Sequence, residues 1–341
     1  MNSHFASMSS TSPGGAGGAG GRIEALTLRR IVRTWGVEPT PPLQDPWLLA
    51  VWPGMGGVAI SAGYYLMAKL GMHLVLEFPA TDYFDRDEVY VKRGLIVARR
   101  LPRSRMFAWR DPNGGNDLLV FIGEAQPQTR AAEFCSRLIA SARDLRISKV
   151  HTFAAMATQM RPAERSRVFG AAIDKATLEK FQRAGVEPLE SATISGLNGT
   201  LLETAAAHGL TGGCLLGEIP HVFSQIPFPK ASMAVLEVFS RLSGVSVDLA
   251  ELKSQADRVD RTLEDFLLRM EGDTPQGPDD DSEPSPVGTR KKDPAALERL
   301  EELFEEAGRD RARAFELKQE LDRLGLFEEY EDRFLDLFKE P

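Results

Sequence analysis

Hydrophobic positions in this chain come as short unbroken runs followed by stretches spaced three and four apart, and the alternation repeats. Trp47-Leu48-Leu49-Ala50-Val51-Trp52 reads as a buried strand, running into Pro53-Gly54-Met55-Gly56-Gly57 and then a helix over 58–70. Leu74 to Phe78 is the next strand, which makes a β-α-β unit of parallel strands buried on both faces. A hairpin follows over 88–97 around the turn Lys92-Arg93-Gly94, and residues 106–109 add an extended piece. Further strands are predicted at 117–122, 149–155 and 213–216, with a short extended piece at 168–172. Helices are predicted at 129–145, 175–184, 195–208 and 229–242.

Residues 248–270 open with the capping pair Asp248 and Glu251 and carry Leu252, Ala256, Val259, Leu263, Phe266 and Met270 at spacings of four and three. Such a stripe is a lid over a core or a seam to another subunit. Residues 272–293 turn to Pro, Asp, Gly and Ser and read as a disordered linker. Beyond it, Leu297, Leu300, Phe304 and Ala307, then Leu317, Leu321 and Leu324, then Phe327, Tyr330, Phe334 and Leu337 describe two or three short amphipathic helices. They are too small to fold alone and must dock on the main domain or on a neighbouring chain. The expected organisation is a flexible leader (1–21), an N-terminal extension with a short helix (22–44), an α/β domain (45–271), the linker, and a helical tail (294–341).

The net charge of −8 sits mostly in that tail, where eight basic residues face fifteen acidic ones. The remainder has no basic stripe, so nucleic acid is not an expected partner, whereas the tail suits a basic protein partner. Only two cysteines occur, without metal-ligand spacing, and the leader lacks a basic-then-apolar pattern; both point to the cytoplasm. The uncharged run 47–68 is long enough to span a membrane, but a Pro and three Gly in its middle argue against it.

Gly54, Gly56 and Gly57 can take positive φ and bare backbone N–H groups at a helix start, a seat for an anion. Gly54-Met55-Gly56-Gly57-Val58-Ala59 also fits the dinucleotide fingerprint, with Glu77 at the ribose-binding position, and the same glycines serve equally in a turn that merely closes strand onto helix. If the strands at 47–52, 118–122, 149–155 and 213–216 are parallel, their following bends share one rim. That rim would hold Gly54, Met55, Gly56, Gly57, Glu124, Gln126, Thr158 and Glu218, joined by Ser195 and Asn198 at a helix start. Glu124 and Glu218 could form a carboxylate pair or serve as caps for loop amides. Ser195 lacks a Gly-x-Ser-x-Gly elbow, no phosphate-binding Gly-x-x-x-x-Gly-Lys occurs, and His151, His208 and His221 have no metal spacing. No catalytic set, metal site or cofactor is expected from these residues.

Five motifs occur in order: Trp52-Pro53-Gly54-Met55-Gly56-Gly57-Val58; Asp117 through Ile122 to Gly123-Glu124-Ala125-Gln126-Pro127; Val168-Phe169-Gly170-Ala171-Ala172; Ser195-Gly196-Leu197-Asn198-Gly199; and Leu215-Leu216-Gly217-Glu218-Ile219-Pro220. Together, over about residues 45–270, they resemble the proteasome assembly chaperone 2 family and its archaeal and bacterial relatives. The resemblance implies a nucleoside-phosphorylase-like α/β fold, with a mostly parallel central sheet, flanking helices and here a C-terminal helical extension. It further implies a cytoplasmic protein that self-associates, a trimer being favoured, and no NAD at the glycine turn. Relatives directed to the proteasome end in a hydrophobic residue, a tyrosine and one more residue; this chain ends Phe338-Lys339-Glu340-Pro341. The function expected is a non-enzymatic chaperone or scaffold. Its contacts would run through Leu252, Val259, Leu263 and Phe266 and, in the tail, Phe327, Tyr330 and Phe334. The alternative is a protein that binds or converts a nucleoside, phosphate or dinucleotide at the rim.

Overall fold

Successive residues of a strand face opposite ways, so an all-apolar run can only lie inside a sheet covered on both sides. The computed structural model describes residues 42–85, 89–92, 94–97, 100–272 and 294–339. Its strands are β1 (Trp47–Val51), β2 (His73–Phe78), β3 (Tyr90–Lys92), β4 (Leu95–Val97), β5 (Ser104–Trp109), β6 (Leu118–Gly123), β7 (Lys149–Thr158), β8 (Val168–Ala172), β9 (Glu187–Pro188) and β10 (Thr211–Pro220). The first helices are α1 (Val58–Lys69), α2 (Ala131–Asp144), α3 (Lys175–Arg183) and α4 (Leu197–Ala207). Then come α5 (Pro229–Ser243), α6 (Ala250–Gly272), α7 (Pro294–Arg309), α8 (Ala314–Leu324) and α9 (Phe327–Asp336).

Eight strands form one sheet in the order β2-β5-β6-β1-β7-β10-β8-β9, and β3 and β4 pair apart from it as a hairpin. The four strands β6, β1, β7 and β10 run parallel. Leu49 and Val51 of β1 and Val120 and Ile122 of β6 enter the core under α1, α5 and α6; Leu48, Ala50, Leu119 and Phe121 enter the opposite core under α2 and α4. Close helix contact needs glycine at one point: a Cβ on Gly63 of α1 would lie 2.5 Å from Val51 Cγ2.

The fold is mixed α/β, as expected, with three local differences. First, β1 and β2 point the same way but β5 and β6 lie between them, and β2 is an edge strand only half buried. Second, β7 and β10 run ten residues each, paired from Lys149 with Thr211 to Thr158 with Pro220, so residues 156–158 and 217–220 are strand and not loop. Third, β8 joins β10 antiparallel. Pairing partners distant in sequence set all three. The expected leader, the N-terminal extension up to residue 41 with its short helix, and residues 273–293 of the linker lie outside the described residues.

The stripe on α6 divides. Leu252, Ala256 and Leu263 are buried and Val259 packs against the core, while Phe266 and Met270 are exposed. The tail helices α7 to α9 close the core over β5 and α1. Tyr64 meets the rings of Phe327 and Phe334 at 5.4 and 6.0 Å, Tyr65 meets Phe315 at 4.5 Å, and Phe107 meets Phe338 at 6.3 Å. Burying one such ring contributes about 1.5–3 kcal/mol. Phe334 is fully buried, and Phe327 and Tyr330 are partly covered, so the tail's apolar faces are taken up within the same chain.

Candidate functional site

The bends after β1, β6, β7 and β10 all lie at the carboxyl edge of the sheet, and each candidate residue has a definite neighbourhood there. At the glycine turn, Gly56 and Gly57 take left-handed φ of 61° and 58°. Their amides are engaged: Gly56 N–H donates to Ser224 O at 2.7 Å and Gly57 N–H to Gly54 O at 3.0 Å. The next amide, Val58 N–H, donates to Met55 O. Phe228 N–H donates to Gly56 O at 2.9 Å, so the turn is stitched to the segment after β10. The Gly56 and Gly57 amides, expected to be bare for an anion, are thus occupied. Glu77 does not reach this turn. It sits on β2, three strand spacings from β1 or roughly 14 Å, and its carboxylate faces Arg105 at 3.3 Å and Arg103 at 3.8 Å.

Glu124 and Glu218 are likewise separated by three strand spacings, since β1 and β7 lie between β6 and β10. They do not form a pair. Glu218 is buried inside β10; Arg167 clasps it with Nε and Nη2 at 2.8 and 2.6 Å, and Thr158 Oγ1 donates to it at 2.7 Å. Burial alone would raise this carboxyl, but the Arg167 and Thr158 hydrogen bonds outweigh it and hold it below the usual carboxylate range. Gln126 Oε1 accepts the Leu197 N–H at 3.0 Å and so caps α4. Ser195 is exposed just before that helix, and Asn198 Oδ1 is buried in its first turn with no protein hydrogen-bond partner.

Glu124 belongs to an ionic cluster that the sequence reading missed. Its Oε2 accepts Arg100 Nη1 at 2.7 Å and the Arg103 N–H at 2.8 Å. Arg105, only 2% exposed, holds Glu77, Glu124 and Asp332 within 3.7 Å. Glu331 of α9 accepts Arg100 Nη2 at 2.9 Å and the Tyr64 hydroxyl at 2.9 Å. Burial, then the charge of Glu124, raises the Glu331 carboxyl despite Tyr64 and the arginines, and burial beside Glu331 drives the Tyr64 phenol well up. The signal was in the sequence: the basic run Arg99 to Arg105 leads into a strand, and Glu331-Asp332 lies in an acidic tail. An open groove of about 450 Å³ lies elsewhere, between Ala163 and the Asp257, Asp260, Arg261 and Glu264 side of α6. Lys230 Nζ at 2.6 Å answers Asp260 there, and Arg161 at 3.0 Å answers Glu264.

Large apolar side chains also stand open at the rim. Met55, Val222, Ile226 and Phe266 are 42–59% exposed and stand on neighbouring segments, because residues 223–228 hold the glycine turn and Phe223 meets the Phe266 ring at 6.1 Å. The hairpin β3–β4 leaves Val89, Val91, Leu95 and Ile96 58–74% exposed. Among the described residues, no helix is long and apolar enough to cross a membrane, and no cluster of His, Cys, Asp or Glu could hold a metal ion.

A family model described as the PAC2 family matches residues 48–267. The chain belongs to the PAC2 family. That match runs from β1 into α6 and includes all five ordered motifs, leaving α7 to α9 beyond it. An uncharacterised protein of Methanocaldococcus jannaschii is 23% identical over 231 residues, which are 67% of this chain and 85% of that relative. Among solved structures, Pyrococcus furiosus PbaB, described as an archaeal proteasome activator, is similar with a TM-score of 0.56 and 22% identity, over 69% of this chain and 97% of PbaB. A Mycobacterium tuberculosis proteasome-assembly chaperone homologue is similar with a TM-score of 0.57 and 23% identity, over 67% of this chain and 96% of its own. At such identities the structural likeness speaks for the PAC2 fold.

Proposed function

We propose that this PAC2-family chain is a chaperone-like or scaffold protein, without a catalytic role, that self-associates through its α/β domain and binds other proteins. The observation that carries the reading is the state of the carboxyl edge. Glu124 and Glu218 are held by arginines and the Gly56 and Gly57 amides by carbonyls, while large apolar side chains stand open beside them, of the kind that marks protein contacts. The descriptions of the two structural neighbours as proteasome activator and assembly-chaperone homologue support the same reading. A trimer is the stoichiometry the family likeness favours, the acidic outer side of the tail is an arm for a basic partner, and two buried free thiols suit a cytoplasmic setting. Light scattering after size exclusion at micromolar concentration tests self-association: a particle of several chains is expected, and a strict monomer overturns it. Capture of purified proteasome core particles tests the partner. A thermal-shift screen of nucleosides, phosphate and dinucleotides tests the small-molecule alternative, because a ligand at a hundredfold its Kd adds about 2.7 kcal/mol; such a hit would displace the scaffold reading.

A further inference from the structure

We infer that the hairpin of one copy seats on the apolar patch beside the glycine turn of the next, a head-to-tail contact between two unlike surfaces. The inference rests on the self-association proposed above and names the surfaces that perform it. Val91 and Ile96 face each other across the hairpin, and Leu95, one residue along, points to the other side. The Val91 and Ile96 pair therefore offers an exposed apolar face, with Leu95 exposed on the other side. A two-stranded hairpin is marginal in water without a packing partner, so something must cover it.

The surface that fits is on the same edge of the sheet. The hairpin springs from between β2 and β5, and the patch of Met55, Val222, Ile226 and Phe266 follows β1 and β10. Roughly 400 Å² of apolar side chain stands open on each, about half of the ~800 Å² per partner that a standard interface buries, which matches the usual non-polar share. A hairpin-to-hairpin contact would leave the patch bare in both copies, whereas hairpin on patch covers both. Two different surfaces in contact make a heterologous interface, which closes into a ring when the rotation per copy divides a full turn.

The test uses full-length chain with Val91→Asp plus Ile96→Asp, and separately Val222→Asp plus Ile226→Asp. Each variant should associate about a hundredfold more weakly and run as a monomer, since a charge is placed at the centre of an apolar contact. Mixed one to one, the two should form a complex of two chains and no larger, because one intact hairpin meets one intact patch. If wild type assembles and either variant keeps its size, or the mixture stays monomeric, this inference is overturned while self-association stands; a monomeric wild type overturns both. Thermal melts within about 2 °C of wild type confirm folding of these exposed-site variants. Should one melt early, Ile96→Ser and Ile226→Ser repeat the mixing experiment.

Discussion

Replacing Arg105 with Met should show how the tail is held. The guanidinium is 2% exposed and lies 3.3 Å from Glu77, 3.7 Å from Glu124 and 3.7 Å from Asp332. Removing one partner from a buried ionic group costs roughly 3–5 kcal/mol, because the remaining charges stay desolvated. Glu77 and Asp332 keep 30% and 46% of their side chains in water, which moves the expectation to the low end, about 3 kcal/mol. For a unit of this size that is a fall in Tm of about 6–12 °C by calorimetry. The pH dependence has a definite sign. Glu331 is already raised by burial and by Glu124, and losing Arg105 raises its carboxyl further. A carboxyl raised above its unfolded value disfavours the folded state when ionised, and the penalty fades as pH falls through the folded pKa. The deficit should therefore be larger at pH 8 than at pH 5.5, and smaller when Glu124→Gln is combined with it. A change in Tm under 2 °C at both pH values, or a deficit that grows on acidification, would refute the reasoning.

Three further outcomes are expected. Phe334→Ala removes a fully buried ring packed on Tyr64, Phe327 and Phe338, and should lower stability by about 3–5 kcal/mol in urea titrations with an unchanged slope. Gly63→Ala places a methyl 2.5 Å from Val51 Cγ2 and should cost about 1–3 kcal/mol, which Val51→Ala in the same chain partly relieves in a double-mutant cycle. His151 is buried among Trp47, Phe181 and Phe239; burial, then the Lys149 charge, pushes its pKa down to about 3, and the Gly213 backbone beside it offsets only part. Its contribution is present above the unfolded pKa near 6.5 and is lost as pH falls from there toward 3, so its ring signals should not titrate above pH 4 and His151→Phe should flatten the acid limb of stability.

The parallel core was legible because its strands are local runs: Leu118 to Ile122 is apolar at every position, and a glycine bend marks where β1 and β6 stop. Lateral order was not legible. Nothing local to Leu74 or to the Arg105-bearing segment tells that β5 enters between β2 and β6 and carries a charge into the interior, since the carboxylates that answer it come from positions 77, 124 and 332. The same holds for Glu218, placed in the bend after the apolar run 213–216; its arginine is fifty-one positions away. The tail's amphipathic helices were visible in their spacing, whereas the target of Phe315, Phe334 and Phe338 required the surface of α1 and β5.

The outer strand of a sheet presents unpaired backbone groups that invite another chain to extend it. Here β2 carries an irregularity between Leu74 and Leu76, and the Leu74 amide donates to Phe338 O at 3.0 Å. Phe338, two residues past the end of α9, thus occupies one of the outward amides on that side. A neighbour extending the sheet across β2 would have to displace that contact, so neighbours that leave it in place meet through side chains, where composition can discriminate between self and stranger.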